Sequence, residues 1–311
     1  MAARRAKVPF VTTYHGAYSE GNGLKRAYNS VMARGDVTIA NSAYTARLIA
    51  ERYGTAPERV VVIHRGVDPR VFDPARVTMD RVRELRAQWG ASPQQKIVLQ
   101  AARLTGWKGQ RVLVDAVGLL KADGRLANAM VVLAGDAQGR DGYVDDLRAR
   151  IAELGLQEAV RIVGHVDNIA AAFLAAHVTV VPSTKPEAFG RSVIEVSAMG
   201  SPVIATDIGA PPETVMTPRA GEEAQATGWL IPPSDPKALA DRIAHTLAMS
   251  DSARIAMGTR SREHVLRNFT TELLQIRTLA VYDKLLGTDL ERRFLGTLPA
   301  GGLAAIPPRQ T

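Results

Sequence analysis

The stretch Pro-Ser-Thr-Lys-Pro-Glu-Ala-Phe-Gly-Arg-Ser-Val-Ile-Glu, from Pro182 to Glu195, decides the fold. It follows four residues typical of a buried strand, 178–181, and leads into a run with helical periodicity that extends through Met199. Loops between a buried strand and a helix lie at the edge where open α/β sheets bind ligands. Glu187 precedes the helix and Glu195 falls in its second turn, so both carboxylates are predicted to face one crevice. The free N–H groups at the start of this helix favour a phosphate.

Short apolar strands alternate with helical segments on both sides of this stretch, which predicts parallel sheets. The alternation breaks at 65–74, where turn residues without sustained periodicity indicate a linker between domains. We therefore predict an α/β protein with two Rossmann-like domains. The strands are predicted within 8–16, 36–41, 60–64, 96–102, 130–134, 160–163, 178–181, 202–206 and 229–231.

The composition is that of an ordinary globular chain with excess positive charge. Its 311 residues are 46% hydrophobic and 23% charged, which suffices for two folded domains. A net charge of +8 favours an anionic partner, such as a phosphorylated ligand, an anionic membrane face or nucleic acid, with general solubility as the alternative. The absence of cysteine excludes disulfides and thiolate catalysis. No apolar run reaches the roughly 20 residues that a membrane span needs, and we expect a cytoplasmic protein.

A second segment with chemical potential is 103–110, Arg-Leu-Thr-Gly-Trp-Lys-Gly-Gln, directly after a predicted strand. Arg103 can bind a diphosphate through two donors, Lys108 adds a point charge, and the glycines let the backbone approach the ligand. The spacing is not that of a P-loop. Taken alone, the segment is equally consistent with an exposed basic turn.

His15 ends the first predicted strand, where an imidazole can hydrogen-bond a substrate hydroxyl or stabilise charge. A structural role is the alternative for a single loop histidine. The His, Asp and Glu residues lack the spacing of a metal site, so no metal is expected. Aromatic residues make up only 5% of the chain and no aromatic-basic platform is found, so nucleic acid is not the expected partner.

Together these segments resemble the family 4 glycosyltransferases, which are retaining enzymes of the GT-B fold. The resemblance covers about residues 8 to 286 and is carried by motifs in the same order and spacing. These motifs are Thr13-Tyr14-His15-Gly16, the segment from Ala101 to Gly109, Ala134-Gly135-Asp136, Glu187-x7-Glu195 within 182–206, and 228–236.

The resemblance implies transfer of a sugar from a nucleotide-diphosphate sugar of UDP or GDP type to a glycan or lipid-linked acceptor, without a metal or other cofactor. Arg103 and Lys108 would hold the donor diphosphate, and Glu195 would bind the ribose. Glu187 would contact the donor sugar and His15 would reach it from the other domain, so these two are the predicted catalytic residues. The remaining donor contacts implied are Gly135 and the backbone amides of Ala188, Phe189 and Gly190.

The motifs are most similar to the branch of the family that builds lipopolysaccharide or other surface glycans. A peripheral contact with an anionic membrane, at the inner face of the cytoplasmic membrane, is also expected. Relatives carry further strand-helix units before the Thr-Tyr-His-Gly segment, and Arg65 stands where many of them have Asn. We therefore expect an incomplete N-terminal domain, which an upstream start, a partner chain or an inactive remnant would each explain. A nucleotide-sugar-binding fragment without turnover, half of a split enzyme and an epimerase of the same fold are the alternative functions.

The predicted domain organisation follows from these segments. Residues 1–66 are expected to be the remnant of an acceptor-side domain and 67–270 the donor-binding domain. A C-terminal helix at 271–287 is expected to return to the first domain, followed by a loose tail at 288–311.

Overall fold

A computed structural model describes residues 2–17, 23–217 and 225–298 of the chain. It is an α/β protein whose strands form two parallel sheets, and each of the predicted strands is found. The strands are β1 (Val11–Tyr14), β2 (Val37–Ala40), β3 (Val60–Val62), β4 (Lys96–Ala101), β5 (Ala129–Ala134), β6 (Val160–Gly164), β7 (Val178–Val181), β8 (Val203–Thr206) and β9 (Trp229–Ile231). The helices are α1 (Ala2–Ala6), α2 (Gly23–Asn29), α3 (Ala43–Tyr53), α4 (Met79–Gln88), α5 (Gln110–Ala122), α6 (Asp141–Glu153), α7 (Ile169–Ala175), α8 (Arg191–Ala198), α9 (Pro236–Ala248), α10 (Asp251–Asn268), α11 (Thr271–Leu286) and α12 (Leu290–Leu295).

The described residues divide into two compact units. The first contains Met1–Asp68, Pro186–Arg191 and Leu266–Thr311, and the second contains Pro69–Lys185 and Ser192–Val265. This division differs from the predicted boundaries in two places. The short segment after β7 and the end of α10 both group with the first unit, although their neighbours in sequence belong to the second.

The first unit is a three-stranded parallel sheet in the order β1-β2-β3. One cluster beside it contains Tyr14 from β1 and Ile49 from α3, both fully buried. A second cluster joins Ile39 and Ile63 to Val281 of α11. The C-terminal helix therefore packs against strands from the beginning of the chain.

Backbone pairing also ties the start of α11 to the segment after β3. The N–H of Val67 donates to the carbonyl of Phe269 at 2.9 Å, and the N–H of Thr271 donates to the carbonyl of Val67 at 3.0 Å. A β-carbon on Gly66 would lie 2.3 Å from the Thr270 backbone, so only glycine permits this approach.

The tail that was expected to be loose contains helix α12, and its residues 299–311 lie outside the described residues. The carboxylate of Asp283 in α11 accepts hydrogen bonds from the N–H groups of Leu290 and Glu291 at 2.7 and 2.8 Å. It also accepts one from the Thr288 hydroxyl at 2.6 Å. A side chain within one helix thus satisfies the free N–H groups at the start of the next.

The second unit is a six-stranded parallel sheet in the order β6-β5-β4-β7-β8-β9. Most residues of its strands are apolar, and β5, β7 and β8 are buried along their whole length, as in parallel sheets that helices cover on both faces. One core extends from β4 and β5 to α5 and α9, including Leu113, Val131, Ile204 and Ile243.

Helix α4 was not predicted from the sequence. It begins after Thr78, whose hydroxyl accepts the N–H of Arg81 at 3.3 Å, and it buries Val82 and Leu85. The rest of its sequence is strongly polar, so the apolar spacing alone was too sparse to indicate a helix.

Candidate functional site

The carboxyl edge of the six-stranded sheet is where the second unit can hold a ligand. Strand β4 lies between β5 and β7, so the chain builds one side of the sheet through β6 and then crosses to the other side. The loops after β4 and β7 therefore leave the sheet side by side in diverging directions, which is the arrangement that opens a crevice in such sheets.

The loop after β4 carries the two predicted phosphate ligands. Arg103 is exposed, whereas Lys108 is half-buried at the end of a single 3-10 turn, Gly106–Lys108. The ammonium of Lys108 lies 4.3 Å from the centre of the Trp107 ring. An indole face attracts a cation at this distance, so Trp107 holds the charge close to the loop.

Two buried glutamines support this loop, and the sequence analysis missed both. Gln100 in β4 is 2% exposed and donates its amide N–H to the carbonyl of Lys108 at 2.7 Å. Gln110, at the start of α5, is 1% exposed and donates to the carbonyl of Arg103 at 2.9 Å. Tyr143 donates its hydroxyl to Gln110 at 3.1 Å. The signal for Gln100 was an amide within an otherwise apolar strand, since a buried polar group needs a partner. Gln110 is the first residue of α5, where no such pattern marks it.

Two glycines bring the neighbouring loops into direct backbone contact. A β-carbon on Gly109 would lie 1.8 Å from the carbonyl oxygen of Pro182, which follows β7. A β-carbon on Gly135, which follows β5, would lie 1.9 Å from the carbonyl oxygen of Ala102. The N–H of Thr184 also donates to the carbonyl of Trp107 at 2.8 Å. The loops after β4, β5 and β7 therefore form one rigid platform that includes Gly135.

The loop after β7 continues into α8, which carries Glu195. The helix begins at Arg191, and Glu195 lies half-buried in its second turn. Inside the platform, the hydroxyl of Thr206 donates to the carbonyl of Ser183 at 2.9 Å. The structure thus places Arg103, Lys108, Gly135 and Glu195 in the second unit.

The intervening residues Glu187 to Gly190 are held within the first unit. The carbonyl of Ala188 accepts hydrogen bonds from the hydroxyls of Ser42 at 2.6 Å and Thr45 at 3.2 Å. Phe189 is 3% exposed, and its ring centre lies 5.9 Å from that of His64. Glu187 is 8% exposed, and Gly190 has a φ of +79°, a conformation that favours glycine.

Ser42 and Thr45 are functional candidates that sequence reasoning did not single out in this role. Ser42 is the N-cap of α3, where its hydroxyl oxygen accepts the N–H of Thr45 at 3.0 Å. Its hydroxyl proton is directed to Ala188, 146 positions later in the chain. No local pattern in the sequence reports a contact over that separation.

His15 also lies in the first unit, directly after β1. Its carbonyl accepts the side-chain N–H of Asn41 at 3.0 Å, and the guanidinium of Arg65 contacts its ring nitrogen Nδ1. The residue as a whole is exposed, but neighbouring atoms desolvate part of the ring. This partial burial, followed by the positive charge of Arg65, holds the pKa of His15 below its usual range.

The described residues also bear on metal binding and on membrane crossing. No group of three His, Cys, Asp or Glu side chains suited to a metal ion occurs in 2–17, 23–217 or 225–298. Over the same ranges, no helix combines the length and the apolar character that crossing a membrane requires.

Comparison with protein families and known proteins agrees with this architecture. A family model for glycosyl transferases group 1 matches residues 81–264, more than half of the chain. A second model, for Glycosyltransferase Family 4, matches residues 1–71. The D-inositol 3-phosphate glycosyltransferase of Corynebacterium glutamicum is 30% identical over 257 residues. That match covers 82% of this chain and 58% of the relative, so the chain spans little more than half of the relative's length.

Solved structures resemble the chain over a larger share of their length. A glycosyltransferase from Rickettsia africae is 30% identical with a TM-score of 0.80, covering 90% of this chain and 71% of that one. HepE from Anabaena, solved with UDP-glucose, is 25% identical with a TM-score of 0.79, covering 91% and 74%. The chain therefore belongs to the glycosyl transferases group 1 family and has the GT-B type of α/β fold.

Proposed function

We propose that this chain binds a nucleotide-diphosphate sugar at the carboxyl edge of its six-stranded sheet and transfers the sugar to an acceptor hydroxyl with retention of configuration. The observation that carries the proposal is the platform formed by the loops after β4, β5 and β7. Direct backbone contacts at Gly109 and Gly135 make it rigid. A preorganised set of cations stabilises the charge of a departing diphosphate without reorganising during the reaction.

Each predicted donor ligand has a chemical task in this proposal. Arg103 and Lys108 bind the diphosphate, the guanidinium through two parallel donors and the ammonium as a point charge. Glu195 accepts hydrogen bonds from the ribose hydroxyls, and Glu187 accepts them from the donor sugar. The solved Anabaena relative contains UDP-glucose, which favours UDP over GDP as the nucleotide tested first.

The proposed reaction is a front-face substitution at the anomeric carbon. The bond from that carbon to the diphosphate oxygen breaks, while the acceptor oxygen forms its bond on the same face. The acceptor proton passes to a phosphate oxygen of the departing nucleoside diphosphate. Positive charge from Arg103 and Lys108 makes that departure easier, since it offsets the negative charge that accumulates on the leaving group.

The acceptor is proposed at the level of its class. The Corynebacterium relative is named for D-inositol 3-phosphate, and the motifs of this chain led us to expect a surface-glycan or lipid-linked acceptor. Both classes present a hydroxyl, so both belong in the first assay. The lipopolysaccharide role stays a prediction.

The predicted contact with an anionic membrane also stays a proposal, and one surface feature favours it. Leu24 and Tyr28 of α2 and Val31 after it are 84%, 79% and 49% exposed and recur at helical spacing. An exposed apolar stripe on a chain of net charge +8 is typical of an interfacial helix. Sedimentation with anionic and with neutral vesicles tests this membrane contact. The natural chain is compared with the variant Leu24→Ser/Tyr28→Ser, which removes most of the apolar stripe.

A second candidate function is binding of the nucleotide sugar without turnover. The observation that favours it is the partial match to the Corynebacterium relative, of whose length the chain spans only 58%.

One experiment separates the two functions. The purified chain is incubated with UDP-glucose and, separately, with D-inositol 3-phosphate and a lipid-linked glycan acceptor, and products are followed by proton NMR. Transfer with an α-linked product from an α-linked donor supports the retaining transferase. Donor binding without release of UDP in any mixture supports the binding function. An inverted product would overturn the proposed mechanism.

A further inference from the structure

We propose that Arg65 is a positioning residue that keeps His15 neutral with its single ring proton on Nε2, so that His15 presents an N–H donor to a sugar oxygen. The inference rests on the proposed function, because this donor has a ligand only if the chain binds a sugar. It assigns His15 to hydrogen bonding rather than to proton transfer.

The assignment of the ring proton follows from the chemistry of the contact. The guanidinium of Arg65 contacts Nδ1 of His15 through Nη2. Arginine keeps its charge at every pH relevant to proteins and has donors but no acceptor. The nitrogen that faces it must therefore carry a lone pair. A neutral imidazole with an unprotonated Nδ1 has its proton on Nε2.

The backbone around both residues is fixed. Asn41 holds the carbonyl of His15 at 3.0 Å, and Tyr14, the residue before it, is fully buried. Arg65 lies between His64, whose ring packs edge-on against Phe269 at 5.3 Å, and Gly66, whose backbone touches Thr270. The contact between the two side chains is thus built into the first unit.

Burial and the neighbouring charge both favour the neutral form of the His15 ring. Partial burial disfavours the imidazolium, and the positive charge of Arg65 disfavours it further. Within the described part of the chain, Arg65 is the one charged group whose interaction with His15 is resolved. Tyr14 and Asn41, which adjoin it on β1 and after β2, are neutral. The ring therefore stays uncharged at pH values where an ordinary histidine binds a proton.

Nitrogen NMR measures this arrangement directly. In a 15N-labelled sample the tautomer of each histidine is read from two-bond couplings in the ring, and His15 is assigned by the loss of its signals in His15→Asn. The expected result for the natural chain is the Nε2–H tautomer with a titration midpoint below that of ordinary histidine. The Nδ1–H tautomer, or an imidazolium at pH 6.5, would overturn the proposal.

Two matched variants test the role of Arg65. Arg65→Asn is expected to move the His15 midpoint upward and to give a mixture of tautomers. Arg34→Asn removes the same charge from the same unit, and its guanidinium donates only to Ser30 in the described structure, so it is expected to leave His15 unchanged. Equal spectra for Arg65→Asn and the natural chain would contradict the inference.

A functional readout follows from the same pair. If the proposed transfer occurs, its rate in Arg65→Asn should decline at a higher pH than in Arg34→Asn as the pH is lowered. The protonated ring keeps its Nε2–H donor but adds a positive charge beside the sugar, whose anomeric carbon becomes electron-poor as the leaving group departs. An identical pH profile would refute the positioning role. Failure of the proposed function gives a different result, namely no UDP binding and no transfer while the NMR midpoints still differ.

Discussion

The carbonyl oxygen of Pro182 lies 1.8 Å from the position that a β-carbon on Gly109 would occupy. No side chain fits in that space, so the loop after β4 and the loop after β7 are in backbone contact. Gly109 also has a φ of +77° and forms the N-cap of α5. This contact connects the segment that carries Lys108 to the segment that leads into α8.

The first prediction concerns this contact. Gly109→Ala combines an unfavourable positive φ with a collision against backbone, whereas Gly139→Ala has the same φ of +77° with no atom within 4 Å. We expect Gly139→Ala to lower the free energy of unfolding by about 1 kcal/mol. Gly109→Ala should lose several kcal/mol more, or fold with UDP affinity reduced by at least ~10-fold. Urea unfolding measures the free energy of unfolding and calorimetry measures the UDP affinity. Equal values of both for Gly109→Ala and Gly139→Ala would show that the contact is unimportant.

The second prediction concerns the anchor of Ala188. Ser42→Ala removes the N-cap of α3 and a donor to the Ala188 carbonyl, whereas Thr78→Ala removes only the N-cap of α4. Both variants should lose about 1 kcal/mol of stability. Only Ser42→Ala should also raise the donor KM, by several-fold, because Ala188 and Phe189 are proposed to contact the sugar. Titration with UDP-glucose checks this difference, and a matching rise in Thr78→Ala would indicate a general loss of structure.

The third prediction concerns stability against pH. Burial, then the charges of Arg254, Arg86 and Lys96, lower the pKa of His177 to about 4 from an ordinary 6.5. The unfolded chain therefore binds a proton here at a higher pH than the folded chain does. The free energy of unfolding should be greatest above pH 6.5 and should fall as the pH drops to about 4, by less than the roughly 3 kcal/mol of the full shift because solvent screens the exposed part of the ring.

The variant His177→Asn isolates this contribution, because it keeps an acceptor for the N–H of Ile97, now 3.2 Å from His177. It should flatten the stability curve between pH 6.5 and 4 relative to the natural chain. His165→Asn, at a side chain that is 72% exposed, serves as the control. Chemical unfolding at several pH values supplies the data, and parallel curves for His177→Asn and the natural chain would disprove this assignment.

The sheets were predictable because their signals are local. Buried parallel strands are short apolar runs between turn residues. The caps of α3, Ser42 and Gly54, are equally local features of the sequence. Helix α4 was missed because only a few of its residues are apolar and buried. Helix α12 was missed because its start depends on Asp283, which lies in another helix.

The candidate site was predictable only in part, because some of its contacts join residues that are far apart in the sequence. Arg103, Lys108 and Glu195 belong to recognisable motifs at strand ends. Gln100 and Gln110 support the loop through hydrogen bonds to backbone carbonyls. The residue type alone does not indicate which carbonyls they bind. The grouping of Ala188 with Ser42 depends on a contact between residues 146 positions apart, which no periodicity records.

The fourth prediction tests the central claim, that the loop after β4 and helix α8 bind the donor. Lys108→Ala and Glu195→Ala should each weaken UDP binding by about 10- to 100-fold, since each removes a charge-assisted hydrogen bond. Lys121→Ala removes an exposed lysine that donates to the carbonyl of Gly155, away from this edge of the sheet, and should bind UDP like the natural chain.

Isothermal titration calorimetry with UDP on the natural chain and these three variants is the most direct measurement. The account predicts binding by the natural chain and by Lys121→Ala, with strongly reduced affinity in Lys108→Ala and Glu195→Ala. GDP is titrated in parallel as the other nucleotide. Absence of binding to both nucleotides by the natural chain, or unchanged affinity in Lys108→Ala and Glu195→Ala, would contradict it.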